Sequence, residues 1–476
     1  MPDSYDEVAY PSYPIMQSHP ALVSALSLLA GLALSPIAEW NVLEIGCGDG
    51  SNILPLAFDY PKARFIGVDR AQNAIRAGQS LASRLHLGNI ELQAADLLDW
   101  EPDREYDYII AHGIFSWVPD GVRNKILKIC GECLKPEGIA FISYNALPGC
   151  HFRRYAADFL RFHVRNAADP AARIEQAQSL ARQVIEQPPV EDSLLVAVRS
   201  EMGTILEKDD RVLFHDDLAD VNEPFYLLDF VAQAEHRGLQ YLGDAEPRRD
   251  DVGGMVSQSA DWIESRQYGD FLAGRRFRET LLCRQGIQLD RKPSLERFLN
   301  LFIGSRVRPG KPDSDGQQQF DLPKSGSLTT NHPFVKQTLC RLASLWPRSI
   351  RISELPLGEF PPEAIADMLM QLLRIEALEL RFDPPRIASS VSQAPVASAF
   401  ARAQISEGSR WVTNQRHMCV EPGDDLSRRI LLLLDGSRDR QKLTGDLLSS
   451  GLDSEYVRRT LEPGLAALHA LCLLTQ

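Results

Sequence analysis

The stretch Asn41-Val-Leu-Glu-Ile-Gly-Cys-Gly-Asp-Gly50 predicts a buried strand that runs directly into a glycine-rich turn. Val42, Leu43 and Ile45 suit the centre of a parallel sheet. The glycines let the backbone approach a ligand where a Cβ atom would collide. A helical pattern follows over residues 51–59, so its first amides point toward the same place. This arrangement is typical of an adenine-containing ligand bound at the carboxyl edge of a doubly wound sheet.

The spacing of the glycines distinguishes between such ligands. A dinucleotide-binding turn has the pattern G-x-G-x-x-G. Here Gly46, Gly48 and Gly50 fall on every second residue, and the acid Glu44 precedes them. This stretch resembles the S-adenosylmethionine (AdoMet) motif of class I methyltransferases.

Two further strand ends support this interpretation. The predicted strand Ala63–Asp69 ends in an acid about 20 residues after the turn, where a carboxylate can accept hydrogen bonds from ribose hydroxyls. The strand Ile90–Asp96 ends in another acid, at the position where the family contacts the adenine amino group. We therefore expect AdoMet as the cofactor and S-adenosylhomocysteine (AdoHcy) as its product. The resemblance implies cofactor contacts at Glu44, Gly46, Cys47, Gly48, Gly50, Asp69, Arg70, Asp96, Leu97 and His112.

Composition limits the remaining possibilities. A chain of 476 residues predicts two or three domains. The formal net charge of −13 gives no generic attraction for nucleic acid or anionic membrane, and it favours a basic or amine-bearing partner. The start of the sequence has no basic segment typical of a secretory signal, and the eight cysteines are scattered. We therefore expect a cytoplasmic protein.

Two features have competing interpretations. The charge-free run from Ala21 to Ala38 is long enough to suggest a membrane span, but its serines, glycine and proline favour a buried helix against the cofactor sheet. Cys130 and Cys133 have the C-x-x-C spacing of zinc and redox sites. They lie inside a helical pattern with no second pair at ligand spacing, so we expect core packing and no metal site.

The first 150 residues are predicted to form the AdoMet-binding core of a Rossmann-like α/β fold. Strands alternate with helical patterns, which indicates a parallel sheet with right-handed crossovers. The strands are predicted at 41–46, 64–69, 90–95, 106–111 and 139–144, and the helices at 51–59, 71–86 and 119–134.

A polar, helical insertion is predicted over residues 151–215, and residues 216–300 form a middle region. Class I methyltransferases close their seven-stranded sheet with a helix and an antiparallel strand pair. We expect residues 220–286 to supply that pair. The alternative, a small separate domain over 216–297, stays open from the sequence.

A polar segment with proline and glycine, residues 301–330, is predicted to be a linker. An α+β region over 331–476 follows, with two units that each resemble a winged-helix module. Neither unit has a basic recognition helix, so we expect contacts with protein and not with nucleic acid.

The resemblance extends over most of the chain. The chain resembles class I methyltransferases that carry a methyltransferase regulatory domain. This group includes the rickettsial protein lysine methyltransferases that modify an outer membrane protein. Cys150 departs from this resemblance, since many relatives have an aromatic residue there. The stretches that carry the resemblance are Tyr5–Pro14, Gln17–Pro20, Ser143–His151, His215–Pro224, Gly238–Pro247, Arg276–Arg284, Trp411–His417 and Leu434–Arg440.

Methyl transfer to a lysine amine needs positioning, exclusion of water and a deprotonated nitrogen. Aromatic walls lower a lysine pKa, and an acceptor can take the proton. The fourth strand lacks the Asn/Asp-Pro-Pro-Tyr motif of amide and adenine N-methyltransferases. Aromatic and acceptor side chains follow the strand ends. Others lie in the N-terminal segment, Tyr5 to Pro20, which can cover the cofactor as a lid. The candidate catalytic residues are Tyr10, Tyr13, His112, Trp117, Tyr144 and Asn145.

These observations predict an AdoMet-dependent methyltransferase that acts on protein lysine. The alternatives are a small-molecule N- or O-methyltransferase and a non-catalytic AdoMet-sensing adaptor. The large C-terminal region favours a protein substrate, which the resemblance suggests is an outer-membrane or surface protein. The resemblance also implies a homodimer, with the contact expected in the helical insertion and no insertion into the membrane.

Overall fold

Seven strands form one mixed sheet in the order β3-β2-β1-β4-β5-β7-β6. In the computed structural model, residues 8, 10–188, 191–246, 261–324 and 326–475 are described. β1 to β5 are parallel, whereas β7 runs antiparallel to both of its neighbours. The strands are β1 (Asn41–Ile45), β2 (Arg64–Asp69), β3 (Ile90–Ala94), β4 (Tyr106–Ala111), β5 (Leu134–Asn145), β6 (Leu239–Asp244) and β7 (Phe277–Arg284).

The central strands are apolar on both faces because helices cover both sides of the sheet. In β1, Leu43 is fully buried and pairs with Ile66 of β2 and Ile109 of β4. Val42 and Leu43 belong to two core clusters on opposite faces. The covering helices are α1 (Pro20–Leu29), α2 (Ile53–Asp59), α3 (Gln72–Arg84) and α4 (Asp120–Cys133). The predicted Rossmann-like methyltransferase sheet is confirmed.

The apolar run after Pro20 is a buried helix. Ala21 joins the core of the cofactor sheet, and Leu29 joins a second core built by residues 295–382. No helix within the described ranges has the length and hydropathy needed to cross a membrane. Cys130 is buried in α4, where it packs among core residues.

The helical insertion consists of four helices that interrupt the sheet between β5 and β6. Leu160, Met202 and Leu213 belong to a core cluster of its own. The helices are α5 (Cys150–Val164), α6 (Pro170–Glu186), α7 (Ser193–Leu206) and α8 (Asp210–Asp216).

The sheet is completed by the antiparallel pair β6 and β7, packed with α9 (Leu227–Glu235) and α10 (Trp262–Ala273). Of the two arrangements that the sequence left open, the structure has the pair inside the main sheet. Arg278 of β7 is fully buried and makes two hydrogen bonds of 2.9 Å with Asp270 of α10. It also contacts Asp244 of β6 at 2.7 Å. These ion pairs fix α10 and β6 to the last strand.

The prediction that residues 301–330 form a linker is wrong. Four short strands lie there: β8 (Phe302–Gly304), β9 (Arg308–Pro309), β10 (Gln318–Asp321) and β11 (Ser327–Thr330). β8 is the centre of a three-stranded sheet, and β9 to β11 form another. The strands are hard to recognise in this polar sequence because β10 buries only alternate residues. One of these, Phe320, is fully buried.

The region after α11 (Leu295–Leu299) contains two units. The first has α12 (Pro333–Leu345), β12 (Ile350–Arg351), α13 (Pro362–Arg374) and β13 (Glu379–Arg381), with β12 and β13 on either side of β8. The second unit, called here the C-terminal domain, spans residues 393–475. It contains α14 (Ala399–Ser406), the hairpin β14 (Val412–Thr413) and β15 (Cys419–Val420), α15 (Asp425–Leu433), α16 (Arg440–Ser449) and α17 (Ser454–Ala470).

Candidate active site

The glycine turn lies between β1 and α2 with a left-handed backbone. The φ angles are +75° at Gly46, +56° at Gly48 and +78° at Gly50, which L side chains rarely adopt. A Cβ atom on Gly46 would lie 3.0 Å from Ile114, and one on Gly48 would lie 3.1 Å from the Ser12 hydroxyl. The turn therefore contacts both the end of β4 and the N-terminal segment.

Two strand-end acids lie along the same edge. The Asp69 carboxylate accepts hydrogen bonds of 2.8 Å from the backbone amides of Gly48 and Ala71, so it also fixes the turn. The exposed Asp96 accepts one from the Leu98 amide at 2.9 Å. Because β1, β2 and β3 are adjacent and parallel, their carboxyl ends bring both acids to one side of the glycine turn.

Glu44 is a buried carboxylate in the first strand. Its Oε1 atom accepts a hydrogen bond of 2.7 Å from the Asn52 side-chain amide. Its Oε2 atom has no partner among the described residues. Burial raises the pKa of Glu44 to about 8, although the Asn52 hydrogen bond opposes the shift. A donor or a cation that reached Oε2 would stabilise the ionised form.

Three other predicted cofactor contacts surround this turn. The Cys47 side chain is buried, and burial raises the pKa of its thiol, so it acts as a packing residue. Leu97 is buried just beyond Asp96, while Arg70 is exposed just beyond Asp69. Leu97 offers an apolar surface where an adenine ring is expected.

The N-terminal segment crosses the glycine turn. The Ile15 amide donates to Asn52 Oδ1 at 2.8 Å. At the other end, the Tyr10 hydroxyl donates to Asp216 of α8 at 3.3 Å, and the Tyr10 ring meets His215 edge-on. Tyr13 lies between these contacts and is 46% exposed. The geometry suits the lid that the sequence predicts.

His112 follows β4, on the side of the glycine turn where the methyl acceptor is expected. Its ring centroid lies 5.9 Å from both Phe141 of β5 and Phe277 of β7. Its Nδ1 atom is buried with no partner within the described ranges. Burial lowers the pKa of His112 to about 4, so the imidazole is neutral at physiological pH.

Trp117 faces the helical insertion. The Arg153 guanidinium lies 5.9 Å from its ring centroid and also bonds Asp216 at 3.1 Å. Since Tyr10 contacts the same Asp216, the insertion connects Trp117 with the N-terminal segment.

The structure contradicts the prediction that Tyr144 faces the substrate. It is 1% exposed and stacks on Phe230 at 4.2 Å in the core under the sheet. Alternate residues of a strand point to opposite faces, and Tyr144 lies on the face opposite Phe141. Asn145 is also buried, with its side-chain amide donating to Asn222 at 2.8 Å, which argues against direct substrate contact.

A cleft of about 320 Å³ lies where β6 ends and β7 begins. Asp244, Glu246 and Glu279 supply carboxylates, and Phe277 contributes a ring that is 41% exposed. Arg275 and Arg276 add guanidinium groups to the lining. Because β7 is antiparallel, its first residues lie at the carboxyl edge beside the end of β5. The sequence did not predict Phe277, Glu279 or Asn52 as site residues, although Phe277 and Glu279 lie within the stretch Arg276–Arg284 that resembles the family.

The residues fit AdoMet. The left-handed glycine turn is typical of a nucleotide-binding loop, and Asp69 and Asp96 lie where ribose and adenine contacts are expected. Glu44 Oε2, which has no partner among the described residues, suits an ammonium group. Within the described ranges, no group of three or more His, Cys, Asp or Glu side chains could hold a metal ion.

Three family profiles match separate parts of the chain. The methyltransferase domain matches residues 42–138, and the predicted methyltransferase regulatory domain matches 209–284. The PKMT C-terminal winged helix domain matches residues 393–457.

Two proteins of one bacterium are similar to large parts of the chain. Uncharacterized protein RP789 of Rickettsia prowazekii is 33% identical over 353 residues, which are 70% of this chain and 64% of that relative, so this chain spans less than two thirds of its length. Uncharacterized protein RP028 of the same organism is 32% identical over 243 residues, which are 50% of this chain and 96% of that relative.

A solved structure covers almost the whole chain. PKMT2 from Rickettsia typhi in complex with AdoHcy superposes with a TM-score of 0.86 at 25% identity, over 98% of this chain and 100% of that one. The chain therefore belongs to the class I methyltransferases that carry a methyltransferase regulatory domain and a PKMT C-terminal winged helix domain.

Proposed function

We propose that this protein is an AdoMet-dependent protein lysine N-methyltransferase. One observation carries the proposal: side-chain contacts connect the glycine turn with an aromatic residue at the mouth of a cleft that contains carboxylates. Gly46 packs on Ile114, two residues after His112, and His112 in turn contacts Phe277 at the mouth of the cleft. An amine enters such a cleft as a cation that carboxylates attract, and it meets an aromatic wall close to the cofactor.

AdoMet, when bound, supplies the methyl group on its sulfonium. The chain positions the amine in line and excludes water. Glu279, a carboxylate of the cleft, attracts the lysine ammonium, whereas Glu246 of the same cleft is paired with Lys324. Phe277 lowers the dielectric around the amine, so the pKa of the ammonium falls and Glu279 can accept its proton. The neutral imidazole of His112 can then accept a hydrogen bond from the free amine and orient its lone pair.

A protein substrate accounts for the size of the chain. Residues beyond the sheet form two further units, which a small-molecule substrate does not need. The solved neighbour is called PKMT2, which supports the same class of substrate. We propose an outer-membrane or surface protein that is modified in the cytoplasm, where the eight free cysteines suit a reducing environment.

We also propose a homodimer formed through α5. Four aromatic side chains are exposed along one face of this helix, at spacings of three and four residues. Such a continuous apolar face is typical of a protein interface. The residues are Phe152, Tyr155, Phe159 and Phe162, with exposed fractions of 42%, 49%, 38% and 64%.

The proposed function is tested with methyl-labelled AdoMet and a lysate divided into membrane and soluble fractions. The wild-type protein should transfer label to protein bands, and Asp69→Asn, which removes a predicted ribose contact, should reduce the transfer at least about tenfold. Label found only in small molecules would contradict the proposal. AdoHcy binding without any transfer would instead favour the sensing adaptor.

A further inference from the structure

The turn between β14 and β15 of the C-terminal domain is polar but buried. The five residues from the end of β14 into this turn, Thr413 to His417, are each exposed by 6% or less and are called here the Thr413–His417 turn. Turns normally lie at the surface because their polar groups need partners. The partners of this turn therefore indicate what it is built to contact.

Asn414 fixes the shape of the turn. Its Oδ1 atom accepts hydrogen bonds from the backbone amides of Arg416 at 2.9 Å and Met418 at 3.0 Å. Its side-chain amide donates to the Leu471 carbonyl at 2.9 Å. The turn is thus attached to the end of α17 and has one defined conformation.

Arg416 attaches the turn to the first unit. Its guanidinium donates to Glu379 Oε2 at 2.6 Å and to the Pro347 carbonyl at 2.8 Å. It also lies 4.3 Å from the Trp346 ring centroid. With both ends of the turn fixed, the direction of the next side chain, His417, is determined.

His417 projects from this turn into the cofactor domain. Its φ angle is +60°, a left-handed conformation that is rare outside glycine, and its side chain is 2% exposed. The His417 Nε2 atom lies 2.8 Å from Asn52 Oδ1. The Ile15 amide, an obligate donor, faces the same oxygen at 2.8 Å, so this oxygen is an acceptor and His417 donates to it.

Asn52 connects His417 with the cofactor turn. Its side-chain amide donates to Glu44 Oε1 at 2.7 Å and to the Ser18 hydroxyl at 3.1 Å. One asparagine therefore contacts the first strand, the N-terminal segment and the C-terminal domain. Losing the His417 donor would loosen both the carboxylate of Glu44 and the segment that crosses the turn.

Two other contacts hold the C-terminal domain against helices α2 and α3. Phe400 of α14 packs on Phe58 of α2 with ring centroids 6.1 Å apart. Glu407 forms an ion pair with Arg84 at the end of α3. His417 thus extends from a docked domain and not from a loop that contacts the sheet by itself.

We propose that the Thr413–His417 turn completes the cofactor site, with His417 as a positioning residue that acts through Asn52 on Glu44 and the N-terminal segment. This role is distinct from recruitment of a substrate. It makes AdoMet affinity depend on the docked C-terminal domain.

The test compares two substitutions at His417 in the full chain. His417→Asn tolerates the left-handed backbone, but its shorter amide does not reach Asn52. His417→Gln places an amide donor where Nε2 lies. We expect His417→Asn to weaken AdoHcy binding about tenfold in calorimetry and to speed hydrogen exchange at the Ile15 amide about tenfold, since one buried hydrogen bond is lost. His417→Gln should restore most of both.

His469→Asn serves as a matched control. His469 also lies in the C-terminal domain and bonds a backbone carbonyl, that of Ala388, at 2.8 Å. This variant should bind AdoHcy like the wild type. No acceptor protein is present in the assay, so its outcome is independent of whether lysine is the methyl acceptor.

The proposal is overturned if His417→Asn leaves AdoHcy affinity and Ile15 exchange unchanged, or if His417→Gln is as impaired as His417→Asn. If His417→Asn also lowers the melting temperature, a double-mutant cycle with Asn52→Ala decides. The two substitutions should then be non-additive in AdoHcy affinity by at least about threefold. Additive effects would likewise overturn the proposal.

Discussion

Among single residues, Glu44 has a pKa shift that should make the stability of the protein depend on pH. Its pKa of about 8 in the folded protein lies above the ordinary value of 4.5, so the folded state retains a proton that the unfolded chain releases between these two values. The free energy of unfolding should therefore fall as pH rises through this window, by at most about 1.4 kcal/mol per pH unit from this group. Glu44→Gln should remove that contribution, as measured by urea unfolding at pH 5 and pH 8.

The same variant should lose affinity for AdoHcy, because the carboxylate that can meet an ammonium group is gone. If Glu44→Gln is more stable than the wild type at pH 8 but binds AdoHcy less tightly, the carboxylate serves binding and not stability. If wild type and Glu44→Gln lost equal stability between pH 5 and pH 8, burial would not raise this pKa.

At the scale of the elements, Arg278 holds the last two strands and α10 together. Replacing it by methionine would take the ion pair from the buried Asp244 and leave Asp270 with Arg275 alone, which should cost about 3–5 kcal/mol in the free energy of unfolding. Lys128→Met is the control, since its ion pair with Glu132 is solvent-exposed and should contribute less than about 0.5 kcal/mol. Equal losses in denaturant unfolding would contradict this account of β7.

The elements also show which parts of the molecule local sequence can predict. The glycine turn and the acids at the ends of β2 and β3 were predicted because their signals lie within single strand–turn units. Tyr144 was expected to follow the fifth strand as a candidate catalytic residue, but β5 continues to Asn145 and its pairing directs Tyr144 into the core. β10 was taken for a linker because its sheet is held by backbone pairing around one apolar side chain, Phe320.

At the scale of the whole molecule, the aromatic face of α5 should hold two copies together. The double variant Phe159→Ser/Phe162→Ser should have the mass of a monomer in light scattering at concentrations where the wild type has twice that mass, because the two exposed rings contribute much of the buried apolar area. Leu432→Gln, an exposed apolar residue of α15, should remain a dimer. A monomeric wild type would contradict the assembly.

The contact that the sequence could least predict is also at this scale. His417 and Asn52 are 365 residues apart, and no periodicity or spacing relates them. The cleft likewise depends on β7 returning antiparallel to the end of β5. Both features depend on how distant segments pack together. The local motifs predict the fold class but not these contacts.

Methyl transfer to lysine is tested by identifying the group that carries the transferred methyl. Protein labelled by the wild-type enzyme from methyl-labelled AdoMet should be hydrolysed in acid and its amino acids separated. The account predicts label in N-methylated lysine, absent from reactions with Asp69→Asn. Label in methylarginine, or label released by mild alkali as from a methyl ester, would contradict it.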